Sequence, residues 1–235
     1  MAALITVLLL SYLIGSIPSS LWMGKLWSNL DIRNHGSGNA GATNTFRVLG
    51  WKPGVIVLLI DFGKGLLTTT VISQFAWQIA SGPVSPAGWE VDSFLRIGCG
   101  VMAVIGHMYP LYASFDGGKG AATAAGMLYG IEPISISITL VVFVSVIWIW
   151  RYVSLGTILA TFIYPVSQMV LVTFWQVPID PSVRIFSGVL AAWIILKHRA
   201  NMGRLWRGEE SRVPIRCSRK EERESPEEGE GVSHE

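Results

Sequence analysis

The chain has 235 residues, of which 51% are apolar and only 14% are charged. A water-soluble domain carries roughly 25% charged residues, so this composition indicates several segments inside a lipid bilayer. The formal net charge of +2 argues against a nucleic-acid-binding protein, and two cysteines predict neither a disulfide framework nor a metal site.

Seven apolar segments are predicted to be helices, because open strands cannot span lipid. No Lys or Arg precedes the first segment, whereas Lys25 and Arg33 follow it. This charge order predicts a retained membrane span with the N-terminus outside, rather than a cleaved signal peptide. In chain order the segments cover residues 2–22, 53–80, 94–111, 121–130, 133–150, 154–175 and 183–196.

The distribution of positive charge predicts the topology. The linker 25–52 and the tail from Lys197 are rich in Lys and Arg, whereas the linkers 81–93 and 176–182 contain none. The positive-inside rule therefore assigns the first linker and the tail to the cytoplasm and the two uncharged linkers to the outside. An even number of spans must then separate the loop at 114–120 from the tail.

Parity requires the short segment 121–130 to cross as well, which gives about seven transmembrane helices. Five spans is the alternative if one long segment is re-entrant. The predicted fold class is thus an all-α integral membrane protein with a cytoplasmic C-terminus. Residues 1–210 are predicted to form one membrane domain, and residues 211–235, where charges of both signs crowd together, a disordered cytoplasmic tail.

The loop before the fourth segment has the composition of an anion site. Gly117, Gly118 and Gly120 let backbone N–H groups approach a phosphate, and Lys119 supplies the countercharge. A loop that opens a helix adds the positive end of the helix dipole. It is not a Walker A loop, because Gly120 follows the lysine where Ser or Thr is required.

Two further polar motifs, at residues 36–47 and 197–209, are predicted on the same side of the membrane. Each motif alone could be an interfacial loop with snorkelling cations. The Ser37 hydroxyl could approach a substrate or cap a helix, and the asparagines could donate to phosphate or fix turns. The candidate cations are Arg47, Lys119 and His198, and the candidate amide donors are Asn39, Asn44 and Asn201.

Several other charged residues have a structural interpretation. Asp61 and Lys64 stand three residues apart and are predicted to neutralise each other, with Lys64 also a candidate phosphate ligand. Glu209 is predicted to hold the third motif to a cation. His107 is expected to pack at a helix end, and His35 to lie in an exposed loop. No helical His–Glu pair suggests zinc, so neither a metal nor a cofactor is expected.

Three strings together resemble the bacterial membrane acyl-phosphate–glycerol-3-phosphate acyltransferase family, over about residues 1–210. They are SGNAGATNTFR at 37–47, GHMYPLYASFDGGKGAAT at 106–123 and HRANMGRLWRGEE at 198–210. The resemblance implies a seven-span enzyme of the bacterial inner membrane. It would transfer a fatty acyl group from acyl phosphate to the 1-hydroxyl of glycerol 3-phosphate. The products would be 1-acyl-glycerol 3-phosphate (lysophosphatidic acid) and phosphate, in the first step of phospholipid synthesis.

The resemblance also implies roles and partners. Ser37, Arg47, Lys119, His198 and Asn201 would be catalytic, membrane lipids would surround the protein, and the enzyme that produces acyl phosphate would act beside it. One departure is Asp116, where the family usually has a basic residue. The alternatives are a transporter of organic phosphates, which usually shows internal repeats that are not visible here, and a structural membrane subunit.

Overall fold

The computed structural model describes residues 2–79, 90–210 and 212, and within these ranges all regular secondary structure is helical. The predicted outer linker at 81–93 and the predicted tail fall mostly outside the described residues. A π-helical turn at Thr68–Ile72 joins α4 to α5, so these two helices form one segment. The helices are α1 Ala2–Gly15, α2 Ser19–Ser28, α3 Ala42–Leu49, α4 Trp51–Leu67, α5 Ser73–Ile79, α6 Val91–Met108, α7 Ala121–Ile131, α8 Pro133–Trp150, α9 Val153–Phe174, α10 Pro181–Lys197 and α11 Arg199–Trp206.

Among the described residues, five helical segments are long and apolar enough to cross a membrane. The shorter α7 has 11 residues and α10 has 17. The predicted all-α architecture with several membrane spans is therefore confirmed, and the total of seven spans stays a prediction. The five segments are Ala2–Ser28, Trp51–Ala76, Val91–Ala113, Pro133–Trp150 and Val153–Phe174.

The first span is broken in its interior, where the sequence predicted one continuous helix. The first helix ends at Gly15 and α2 begins at Ser19, directly after Pro18. Proline has no N–H group and cannot continue the hydrogen-bond ladder of a helix. The break leaves the carbonyl of Ile17 free to accept a hydrogen bond from the Lys64 ammonium group at 3.0 Å.

Helices α4 and α7 lie side by side at very short range. At Gly65 an added Cβ would collide with the Thr123 carbonyl, and at Gly126 it would collide with the Phe62 carbonyl. Small residues at such crossings let backbones approach closely, which is how helices in membranes gain packing energy. This contact fixes the start of α7, and with it the loop that carries Lys119, against α4.

The starts of α6 and α10 meet at one end of the bundle. The Glu90 N–H, just before α6, donates to Asp180 Oδ2 at 2.9 Å, and Asp180 is the N-cap of α10. Glu132, at the end of α7, lines the same cavity of about 520 Å³ as Glu90 and Asp180. Since α6 and α10 contact each other and start together, the second and third motifs at their far ends lie at the opposite end of the bundle.

Candidate functional site

The glycine-and-lysine loop opens a helix, as predicted. Gly120 is the N-cap of α7 and has a φ of +79°, a left-handed conformation that favours glycine. Lys119 immediately before it is exposed. The backbone N–H groups of the first turn of α7 and the Lys119 ammonium group therefore face the same end of the bundle.

The loop of the first motif is shaped by Asn44, which is 1% exposed. Its amide group donates to the carbonyls of Ile32 at 3.0 Å and His35 at 2.9 Å. Its carbonyl oxygen accepts the Ser37 N–H at 2.9 Å. Both N–H groups of the side chain are thus occupied, so Asn44 fixes the turn instead of binding phosphate directly.

Ser37 does not cap a helix, which was the structural alternative for it. The N-cap of α3 is Gly41, and no side chain donates or accepts there. Ser37 is exposed, and Asn39 beside it is half-buried. His35 lies in the exposed loop, as expected.

The first and second motifs meet at Gly118. This residue contacts the Ala40 carbonyl and the Nε2 atom of His107 so closely that a Cβ would collide with both. Its N–H donates to the His107 carbonyl at 3.1 Å. A recess of about 10 Å³ lies at this junction, which is room for one water-sized oxygen atom. Its lining residues are Ile17, Pro18, Ser19, Ser20, Leu21, Ala40, His107, Pro110, Asp116, Gly117 and Gly118.

A buried carboxylate lies beside this junction. Asp61 is 1% exposed, and its Oδ1 atom accepts a hydrogen bond from Ser19 Oγ at 2.7 Å. The same atom lies 3.0 Å from Lys64 Nζ and 3.4 Å from His107 Nδ1. The predicted Asp61–Lys64 pair is therefore confirmed. Lys64 is buried and donates to Asp61 and to Ile17, so a contact with phosphate would first have to break the buried pair.

Two members of this network were missed in the sequence. Ser19 and His107 are far from Asp61 in the chain, and only the break at Pro18 marks the Ser19 region as unusual. His107 is packed at the end of α6, as expected, but it also faces Asp61. The Nδ1 atom of His107 faces Asp61, and its Nε2 atom lies on the side of Gly118.

The third motif is held together by Glu210, not by Glu209. The Glu210 carboxylate accepts from Asn201 Nδ2 at 2.8 Å and from Arg204 Nε at 2.7 Å. Glu209 instead pairs with Arg207 at 2.7 Å on an exposed surface. Glu209 thus pairs with a cation, as predicted, but the carboxylate that joins two residues of α11 is that of Glu210.

His198 lies where α10 ends and α11 begins. Its Nδ1 atom is 2.9 Å from the carbonyl of Ile194. A carbonyl group only accepts a hydrogen bond, so Nδ1 carries the hydrogen. The other ring nitrogen, Nε2, is then available for a second contact. The helix α11 packs against α9 and α10, and no hydrogen bond among the described residues joins it to the first two motifs.

The two exposed cations of the first and second motifs have no ion pair. Arg47 and Lys119 are exposed, and neither has a hydrogen-bond or ion-pair partner within the described ranges. Arg33 is different, because its guanidinium group donates to Asp31 at 2.7 Å and reaches Asp116 at 3.5 Å. The hydrogen bond from Arg33 holds the pKa of Asp31 below its usual value.

Asp116, which stands where the family usually has a basic residue, has a basic neighbour in the structure. The Asp116 carboxylate faces Arg33, so this exposed acid does not stand unpaired beside the glycine loop. The Arg33 guanidinium group is shared between Asp31 at 2.7 Å and Asp116 at 3.5 Å.

These features match known proteins. The sequence profile described as glycerol-3-phosphate acyltransferase matches residues 5–208. The glycerol-3-phosphate acyltransferase of Salinibacter ruber is 45% identical over 218 residues, covering 91% of this chain and 93% of the relative. That of Chlorobaculum tepidum is 40% identical over 229 residues, covering 91% and 97%.

A crystal structure of PlsY, an integral membrane glycerol 3-phosphate acyltransferase in its glycerol 3-phosphate form, has the same fold. The TM-score is 0.72 at 34% identity, over 91% of this chain and 96% of PlsY. The structure of the lysophosphatidic acid form gives 0.70 at 33% identity, with the same coverage of both chains. The chain therefore belongs to the glycerol-3-phosphate acyltransferase family and is an integral membrane acyltransferase.

The role of Glu210 can be tested through the stability of α11. Burial raises the pKa of Glu210, but the hydrogen bonds from Asn201 and Arg204 outweigh this effect and leave the pKa below its usual value. A lowered folded-state pKa contributes stability above the unfolded value of about 4.3, and that stability is lost as the pH falls through the folded pKa. Glu210→Gln should speed amide hydrogen exchange in α11 about fivefold at neutral pH, equivalent to ~1 kcal/mol.

The matched control is Glu209→Gln, which removes only an exposed pair and should leave exchange in α11 unchanged. In the unaltered chain the protection of α11 should decline below about pH 4, and in the Glu210→Gln variant it should not. Equal exchange in both variants would contradict the assignment of Glu210 as the residue that holds this motif.

Proposed function

We propose that this chain transfers a fatty acyl group from acyl phosphate to the 1-hydroxyl of glycerol 3-phosphate. The products are 1-acyl-glycerol 3-phosphate (lysophosphatidic acid) and inorganic phosphate. The observation that carries this proposal is a pair of exposed cations, Arg47 and Lys119, that have no ion-pair partner among the described residues. They lie on two motifs that meet at Gly118. The family membership and the two PlsY forms support the choice of acceptor and product.

Electrostatics explains why the site needs both cations. Each substrate carries a phosphate group, and bringing two such groups together costs Coulomb energy unless cations and N–H donors offset it. Arg47, Lys119 and His198 supply positive charge in the proposal. The donors to phosphate in the proposal are Ser37, Asn39, Asn201 and the backbone N–H groups of Gly117 and Gly120. Asn44, Lys64 and Glu210 position these groups, as does Gly118, whose N–H donates to the His107 carbonyl.

The proposed step needs no covalent enzyme intermediate. The glycerol oxygen attacks the carbonyl carbon, and the carbonyl π electrons move onto the carbonyl oxygen. When this tetrahedral oxyanion collapses, the bond between the acyl carbon and the bridging oxygen breaks and phosphate leaves with that electron pair. Orientation of the two substrates and stabilisation of the oxyanion and the departing phosphate supply most of the acceleration.

The hydroxyl proton must also be transferred. We favour the acyl phosphate itself as the acceptor, because its oxygens lie next to the attacked carbonyl and leave as phosphate. His198 is the other candidate, with Nδ1 bound to the Ile194 carbonyl and Nε2 as the position that could accept a proton. In the favoured route His198 binds and orients a substrate.

The proposed location is the bacterial inner membrane, with seven spans, the N-terminus outside and the active site facing the cytoplasm. The common direction of α6 and α10 supports this topology, because both then carry their motifs to the side where the basic tail begins. An enzyme that produces acyl phosphate is the expected neighbour, since the donor must be supplied at this membrane face.

The reaction is tested with purified protein in detergent, given acyl phosphate and glycerol 3-phosphate. Phosphate release and lysophosphatidic acid formation are expected without any cofactor. Lys119→Ala and Arg47→Ala should each lower kcat/KM about ten- to more than a hundredfold, because a lost charge-assisted contact costs about 1.5–3 kcal/mol.

Lys52→Ala is the matched control for these variants. Its ammonium group lies 5.9 Å from the centre of the Trp51 ring, near the first motif but outside the proposed site. Its kcat/KM should stay within about twofold of the unaltered protein. Near-normal rates for both the Lys119 and the Arg47 variant would rule out the phosphate site proposed here. A transporter would show no turnover with any of these proteins.

The proton acceptor is tested with His198→Gln, because glutamine keeps a hydrogen-bond donor but cannot act as a base. Substrate-assisted transfer predicts a raised KM with substantial kcat. A fall in kcat of about 10²–10⁴ with unchanged KM would identify His198 as the base and contradict our preference.

The topology is tested by cysteine labelling in intact cells with a reagent that does not cross membranes. Single cysteines at Ser85 and Ser225, which both lie outside the described residues, should label from opposite faces. Ser225→Cys is expected to react only after the membrane is opened, and Ser85→Cys in intact cells. Reaction of both from one face would contradict an odd number of spans.

A further inference from the structure

We propose, on the premise of the acyl transfer above, that the recess at the start of α2 binds one anionic oxygen of the acyl donor. The donors are the backbone N–H groups of Ser20 and Leu21 and the hydroxyl group of Ser20. None of the three motifs contains these residues, and the break in the first membrane span creates the site.

The backbone at the start of α2 has unused donors. The Ser19 N–H donates to the Ile17 carbonyl and the Trp22 N–H to the Pro18 carbonyl, each at 3.0 Å. Between them, the N–H groups of Ser20 and Leu21 have no hydrogen-bond partner within the described ranges. They are the unsatisfied donors of a ten-residue helix and carry the positive end of its dipole.

The Ser20 side chain is an independent sign that something binds here. It is 2% exposed and lines the recess, yet its hydroxyl group has no partner among the described residues. Ser11 and Ser16, both buried in the same span, instead donate to the carbonyls of Val7 at 2.7 Å and Tyr12 at 2.8 Å. Because Ser20 lines the recess, an oxygen bound there would give this hydroxyl group a hydrogen-bond partner.

The size of the recess limits its occupant to one oxygen atom. Its volume is about 10 Å³, which excludes a whole phosphate group but accepts a single atom of a larger substrate. His107, Gly118 and Ala40 form its walls, so an oxygen in the recess lies between the first motif and the Lys119 loop. This is the junction at which the proposed reaction takes place.

Two carboxylates lie near the recess, and each faces a positively charged or N–H group, so they do not prevent an anion from binding there. The Asp61 carboxylate faces Lys64 and His107. The Asp116 carboxylate faces Arg33 at 3.5 Å. Both acids near the recess therefore face cationic or N–H groups, whereas the donors of Ser20 and Leu21 have no partner among the residues described.

Two oxygen atoms of acyl phosphate could occupy the recess, the carbonyl oxygen and a phosphoryl oxygen, and kinetic measurements distinguish between them. The carbonyl oxygen gains its full negative charge only in the tetrahedral intermediate, so loss of a donor to it lowers kcat and leaves KM unchanged. A phosphoryl oxygen is already charged in the bound substrate, so loss of its donor raises KM. In both cases the group that accepts in the recess is one anionic oxygen.

The test uses the full chain in detergent and the variants Ser20→Ala, Ser20→Cys and, as control, Ser11→Ala. Phosphate release is measured against acyl phosphate concentration. Binding is measured separately with an acyl phosphonate, in which a methylene group replaces the bridging oxygen. Ser20→Ala should lower kcat/KM about ten- to hundredfold, Ser20→Cys less, and Ser11→Ala should match the unaltered protein.

Each possible result either supports or contradicts the binding of an anionic oxygen in the recess. A fall in kcat alone supports the carbonyl oxygen, and a raised KM with weaker phosphonate binding supports a phosphoryl oxygen. If the unaltered protein turns over and all three variants match it in rate and binding, the recess is not an oxygen site, while the proposed reaction stands. If the unaltered protein does not turn over, the proposed function fails and this inference fails with it. Should Ser20→Ala not fold, as judged by its unfolding temperature, Ser20→Cys carries the same comparison.

Discussion

The rest of the structure depends on the contacts of one buried carboxylate. Asp61 lies in the middle of α4. It accepts a hydrogen bond from Ser19 at the start of α2, and it faces Lys64 on its own helix and His107 at the end of α6. A buried charge without partners is very unfavourable in a membrane domain, and loss of one partner of such a pair costs about 3–5 kcal/mol. The three elements are therefore held in one arrangement by the need to keep this charge satisfied.

The position of His107 beside Asp61 in turn determines the position of the glycine-and-lysine loop. The backbone carbonyl of His107 accepts the Gly118 N–H at 3.1 Å. Gly118 in turn touches the Ala40 carbonyl of the first motif. The buried network thus sets the distance between the two loops that present Arg47 and Lys119. A membrane acyltransferase gains from this rigidity, because two anionic substrates must be held together in a fixed orientation before any bond is made.

Much of this could be predicted from residue types and their order. The helical segments α7 and α8 agree with the predicted 121–130 and 133–150 within one residue, because turn residues and Pro133 mark their ends. The Asp61–Lys64 pair follows from helical spacing alone. The break before Ser19 was not predicted, since Pro18 stands in an apolar run that has the pattern of one span. The contacts of Glu210 with Asn201 and Arg204 were not predicted either, because two adjacent acids have the same local pattern.

The sequence by itself indicated a helical membrane protein and its three polar motifs, because hydropathy, charge order and local spacing are properties of neighbouring residues. The tertiary structure alone decided which of these residues touch. Ser19 and His107 meet Asp61 across 42 and 46 positions of the chain, and no local pattern encodes such pairs. It also decided that Asn44 and Lys64 are occupied, whereas Arg47 and Lys119 have no partner in the part of the chain that the structure describes. The physical reason is that hydrogen-bond donors and charges are satisfied by proximity in space, which only the packing of the helices creates.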